Sequence, residues 1–245
     1  MLHGNGSRWD PVASGTTASL RGVWGASATD VWAVGQGVIL HWDGSAWTTA
    51  RSEATEVFQA IWGSSSSDVW AVGSALALHW NGSTWAPTTI SWDSVFYGVW
   101  GTGPADVWAV GSGFYGEIAH WNGNAWTSVI HGSNDTSHYT GVFGAASNDV
   151  WAVGAGGAIS RWNGVAWRTL PPPSGNFTGD LESVWGSGPD DVWVVGSSGR
   201  LIHHWNGQGW SVVADGSPQP LFSAWGAGPD ALWVVGESGT ILRRP

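Results

Sequence analysis

The stretch Ala60–Trp85, AIWGSSSSDVWAVGSALALHWNGSTW, decides the fold, because the rest of the 245-residue chain repeats it. A Trp-Gly step opens each copy at Trp24, Trp62, Trp100, Trp185 and Trp225, with Phe143 replacing Trp in one. Six residues later stands Asp30, Asp68, Asp106, Asp149 or Asp191, and Ala231 in the last copy. Next come Trp32, Trp70, Trp108, Trp151, Trp193 and Trp233, then Gly35, Gly73, Gly111, Gly154, Gly196 and Gly236. A second module, Trp-Asn/Asp-Gly-x-x-Trp, covers Trp42–Trp47, Trp80–Trp85, Trp121–Trp126, Trp162–Trp167 and Trp205–Trp210.

Within the second copy four short strands are legible. Val57–Gly63, Val69–Gly73 and Ala75–Trp80 are rich in Val, Leu and Trp, and a fourth strand starts near Trp85. Asn81-Gly82 is a two-residue hairpin signal, since both residue types tolerate positive φ. A period of about 40 residues with four strands per unit is the propeller pattern. No sixth Trp-x-Gly-x-x-Trp module follows Gly236; its counterpart stands at the N-terminus, where Leu2-His3-Gly4-Asn5-Gly6-Ser7-Arg8-Trp9 aligns with Leu40–Trp47. The expectation is therefore an all-β, six-bladed β-propeller over residues 1–245 as one domain. It has four antiparallel strands per blade and is closed by an N-terminal strand that completes the last blade.

Composition narrows the function classes. Twenty-three Trp supply the core, each burying roughly 150–250 Å². Lys is absent, and eight Arg against 18 acids leave a net charge of −10. That sign argues against nucleic acid and anionic membrane surfaces as partners. No apolar run approaches the ~20 residues of a membrane span. Without Cys, redox usage leaves the compartment open, and the start of the chain shows no basic-then-apolar leader.

Two sets of repeated polar residues read as structural. The Asp that closes each Ser/Gly/Pro-rich turn is placed to accept backbone N–H groups. His41, His79, His120 and His204 recur before the third-strand Trp, with His3 and Arg161 in the same slot and Arg244 aligned with His204. No cofactor or metal set is expected from them.

Candidate binding residues come from variation. The turn between strands one and two is constant in length, whereas Gly35 to Trp42 is seven residues, Gly196 to Trp205 nine and Gly111 to Trp121 ten. The variable loops emerge on one face, the usual place for function on a rigid scaffold. Three residues before each opening aromatic the copies read Arg21, Gln59, Tyr97, Thr140, Glu182 and Phe222, between restrained neighbours. At the start of an innermost strand, this position rings the tunnel mouth. Trp92, Tyr115, His138 and Tyr139 in the inserted loops extend the set. Rings, acids and amides together suit polyhydroxylated ligands and suit a protein partner nearly as well. Nucleophile and metal motifs are lacking, and of the carboxylate pairs a glycosidase would need, ~5–9.5 Å apart, Glu182 with Asp180 can be proposed but nothing in the sequence singles it out.

The units resemble tectonin-type and related bacterial lectin propellers, on Val23-Trp24-Gly25, Trp42-Asp43-Gly44 and Trp47 and their counterparts along the whole chain. The Asp/Asn-Gly-x-x-Trp segment is more distantly similar to the Asp-box of sialidase-like BNR repeats, without its spacer between Asp and Gly. The resemblance implies a propeller and a non-catalytic, carbohydrate-binding role with a glycan partner. The alternative is a protein-interaction scaffold using the variable face, and a sialidase-like glycosidase ranks third.

Overall fold

The computed structural model of the chain describes residues 1–4, 7–90, 94–113, 116–129, 138–172, 179–197, 202–213 and 219–244. A short hairpin leads, β1 (Leu2–Gly4) with β2 (Trp9–Pro11). A six-stranded sheet follows: β3 (Leu20–Ser27), β4 (Asp30–Trp42), β5 (Trp47–Ser65), β6 (Asp68–Gly73), β7 (Leu76–Trp80) and β8 (Trp85–Thr88). Three four-stranded antiparallel sheets come next. They are β9 (Val95–Gly103), β10 (Asp106–Ser112), β11 (Gly116–Trp121) and β12 (Trp126–Ser128); β13 (Tyr139–Ala146), β14 (Asp149–Gly154), β15 (Ile159–Trp162) and β16 (Trp167–Leu170); and β17 (Leu181–Gly188), β18 (Asp191–Gly196), β19 (Ile202–Trp205) and β20 (Trp210–Val213). The last sheet has three strands, β21 (Leu221–Gly226), β22 (Leu232–Gly236) and β23 (Ile241–Arg243).

The six-stranded sheet holds two blades, because β4 and β5 each serve twice. Beyond Gly35 only Gln36 and Gly37 intervene before β4 turns back, and Gly37 takes φ +71°, which favours glycine. The two halves then lie side by side, with His41 Nε2 2.7 Å from Asp30 Oδ1. β5 pairs with β4 through Trp47–Ser52 and with β6 through Phe58–Ser65.

The architecture is thus a β-propeller with five four-stranded blades, not six, and the expected closure is corrected with it. β23 pairs with β22, and β1 pairs with β2, so the N-terminal strand does not complete the last sheet. Instead the hairpin stacks on that sheet. Trp9 meets Trp233 edge-on, with centroids 6.2 Å apart at 89°, just as Trp85 meets Trp32 at 5.2 Å and 81°. The Leu-His…Trp module occupies the place of a following unit's third and fourth strands.

The hydrophobic core lies between sheets. Trp32, Val34 and Ile39 of the first blade pack with Phe58, Ile61 and Val69 of the second, and each later joint repeats the pattern. The second-strand Trp of one blade takes the third- and fourth-strand Trp of the next: Trp70 with Trp121 and Trp126, Trp108 with Trp162 and Trp167, Trp151 with Trp205 and Trp210. At the fifth joint Arg244 replaces the third-strand Trp, its guanidinium 4.7 Å from the Trp193 ring centre. The register opposes Arg243, not Arg244, to Trp233, so Arg243 holds the histidine slot.

Each opening aromatic except Trp225 also reaches a glycine of the next blade. A Cβ on Gly63 would lie 2.7 Å from Trp24 Cη2, on Gly101 2.8 Å from Trp62 Cη2, and on Gly186 2.8 Å from Phe143 Cε1. Trp100 and Gly144, and Trp185 and Gly226, make the same joint. The Trp-Gly repeat therefore encodes a plug and a socket on successive blades.

Candidate functional site

The six variable positions of the innermost strands share one backbone feature. β3 pairs Leu20 with Gly35 and Gly22 with Val34, leaving Arg21 without a counterpart in the ladder. The same skip falls at Gln59, Tyr97, Thr140, Glu182 and Phe222. Each is the extra residue of a β-bulge, a device that re-aims a side chain and frees it from cross-strand packing. Its neighbours remain paired, which is why they are restrained in type while the bulged residue is not.

The six innermost strands stand side by side from β3 through β5, β9, β13 and β17 to β21. Arg21 donates through Nη1 to Gln59 Oε1 at 2.8 Å, linking two bulges across a joint. Thr140 Oγ1 donates to the Leu181 carbonyl at 2.6 Å, and Ser197 Oγ to Glu182 Oε1 at 2.7 Å. Tyr97 is 37% and Phe222 48% exposed, so two aromatic faces accompany a guanidinium, an amide and a carboxylate.

The loop residues divide. His138 is exposed, and its carbonyl accepts the Ala155 N–H at 2.9 Å. Tyr139 is fully buried, its hydroxyl 2.9 Å from Ser160 Oγ, and lies in the core of the third joint rather than on a face. Trp92 and Tyr115 fall outside the described residues. Asp180 Oδ1 accepts the Gly156 N–H at 2.8 Å.

The repeated Asp and His, which the sequence offers as separate features, meet. His79, His120 and His204 approach Asp68, Asp106 and Asp191 at 2.6–2.7 Å, and Arg161 forks onto Asp149. Ser64, Thr102 and Ser187 donate to the same carboxylates, and each imidazole stacks on the second-strand Trp, as His79 does on Trp70 at 4.2 Å. At Asp191 burial pushes the carboxyl upward, but hydrogen bonds from Ser187, Trp193 and His204 outweigh it and hold it below the ordinary value. With both partners engaged in the blade, the pairs are struts. No group of three or more His, Cys, Asp or Glu with metal-site geometry occurs among the described residues.

These contacts correct the carbohydrate-binding reading in physical terms. The inter-blade Trp rings that would serve as sugar platforms are spent on one another; Trp70, Trp108 and Trp151 are buried.

No family model and no curated protein matches the chain, so the tectonin-like and Asp-box resemblances rest on the blade motifs alone. Solved structures do match. Virginiamycin B lyase from Staphylococcus aureus superposes with a TM-score of 0.75 at 16% identity, over 95% of this chain and 86% of that one. A catalytically inactive variant of the same lyase with quinupristin gives 0.73 at 15%, over 93% and 84%. YCF48 bound to a D1 peptide gives 0.52 at 16%, over 94% and 92%. At such identities the likeness shows the β-propeller fold alone. It does correct two expectations: none of these is a lectin by name, and the presence of lyases means that a non-enzymatic role does not follow from the architecture.

Proposed function

We propose that the chain is a protein-interaction scaffold that receives a peptide segment of its partner at the ring of bulged residues. The observation that carries this reading is the alignment of six bulges at one end of the innermost strands, each presenting a different side chain. Tyr97 and Phe222 supply exposed aromatic anchors, the residue class that dominates recognition of protein partners. The net charge of −10 favours a basic segment and speeds its arrival. YCF48, a neighbour of the same fold, is bound to a D1 peptide in its structure, which is consistent with this use of a propeller.

Selection of a displayed random-peptide library on the purified chain tests the reading. Enriched peptides carry an apolar side chain beside a basic one, and Tyr97→Ala with Phe222→Ala weakens them by about tenfold or more. Enriched peptides that bind the double variant equally well, or no enrichment at all, would sink it.

A further inference from the structure

Five joints between successive units are built alike, and a sixth, between the last sheet and the first, is not. β21 and β3 do not pack as the other neighbouring innermost strands do. Trp225, whose five counterparts each reach a glycine of the next blade, is 61% exposed. The glycine in register to receive it, Gly25, has as nearest neighbours only Val31, Asp30 and Ser27 of its own sheet. Val23 beside it is 67% exposed, whereas Ile61, Val99, Val184 and Ala224 in the same register are buried. On the opposite wall Val235 and Ile241 are exposed, whereas Val195 and Ile202 in the preceding blade are buried. Hairpin β1–β2 covers part of this wall, and a cavity of about 430 Å³ remains, lined by Leu2, Trp9, Trp225, Trp233, Val235 and Ile241.

We infer that the seam is a docking site for a two-stranded antiparallel β-hairpin with the sequence chemistry of this repeat's own first two strands. Hairpin β1–β2 already sits where a following unit places its third and fourth strands, so the first and second are what the space lacks. The occupant needs a glycine to receive Trp225, an aromatic residue ahead of it to cover Gly25, and alternating apolar residues to face Val23 and Val235. Five internal joints show that this chemistry is complementary to those walls. Among the described residues every first and second strand is paired in its own sheet, so the hairpin is supplied by a partner protein.

The probe is a labelled peptide with the sequence of residues 57–73, VFQAIWGSSSSDVWAVG, titrated with the whole chain by fluorescence anisotropy. Saturable one-to-one binding is expected. It weakens by about tenfold or more when Gly63→Leu in the peptide blocks the seat of Trp225, or when Trp225→Ser removes the plug. Because Trp225 is already exposed, that variant keeps the fold. A peptide that does not bind, or whose binding is unchanged by both Gly63→Leu and Trp225→Ser, would overturn the inference.

Discussion

Trp62 fills the space that a side chain on Gly101 would claim: a Cβ there would sit 2.8 Å from Trp62 Cη2 and 2.5 Å from the Asp106 carbonyl oxygen. Neither neighbour is free to retreat, since one is the rim of a packed indole and the other is backbone. Gly101→Ala is therefore expected to lower stability by about 1–3 kcal/mol or more, read as a shift of the denaturant midpoint. Gly25→Ala, whose new methyl meets Val31 Cγ2 at 3.0 Å and no indole, is expected to cost clearly less. Equal losses would mean that the plug-and-socket joint does not set the requirement for glycine.

The Asp–His struts make a second prediction. Asp68 accepts from Ser64 and His79 and is nearly buried, so Asp68→Ala strands two polar partners. A loss of about 1–3 kcal/mol is expected, with near-ultraviolet circular dichroism reporting a disturbed Trp70, on which His79 stacks. If Asp68 were instead a ligand-binding residue, the variant would keep its stability and lose binding.

Ala75 takes φ +51° at the turn where the first blade has Gly37 at +71°. A left-handed non-glycine residue costs roughly 1–2 kcal/mol, and glycine returns part of that in chain entropy. Ala75→Gly is expected to raise stability by about 0.5–1 kcal/mol, measurable by thermal unfolding. A fall would indicate that the alanine methyl makes a contact worth more than the strain.

Two of the groups with displaced titration, His203 and Asp191, contribute to acid stability with known signs. Burial holds the His203 imidazole below its ordinary value of 6.5, so the fold binds it neutral. Its contribution is complete above pH 6.5 and declines as pH falls through the folded-state value, because the unfolded chain takes up the proton first. Asp191, held below 3.8, adds a further loss only in more acidic solution, as pH falls from about there through its folded value. His203→Leu, which installs the residue found at Leu40 and Leu78 in the same slot, is expected to flatten the melting-temperature profile just below pH 6.5. An unchanged slope would assign it to other groups.

Much of this was legible in the residues. Strand six, Asp68–Gly73, strand seven, Leu76–Trp80, and the turns on Asn81-Gly82 and its counterparts follow the repeat closely. The blade count was not, because Leu2–Trp9 carries a pattern that serves equally for pairing edge-on with β23 and for stacking face-on against Trp233. Local sequence fixes a hairpin and not the side on which it docks. The Arg243 slot was missed by one residue, since the loop after Gly236 sets the register of β23 and its geometry is not written in the motif. The variable ring positions were found from their irregularity, but only pairing shows that each is a bulge. Tyr139 looked like a loop residue because its insertion is aromatic and polar; Ser160, 21 positions later, draws its hydroxyl inward.

The bulges carry one more consequence. A residue that opposes nothing in the ladder has no cross-strand partner to disturb, so the six bulged positions can be exchanged without breaking the pairing, with Arg21 and Gln59 coupled to each other by their own hydrogen bond. The five inter-sheet cores are built from other residues and include none of the six. Frame and display are thus written in separate positions of the repeat: the paired residues set the blades, and Arg21, Gln59, Tyr97, Thr140, Glu182 and Phe222 set what the ring of bulges shows.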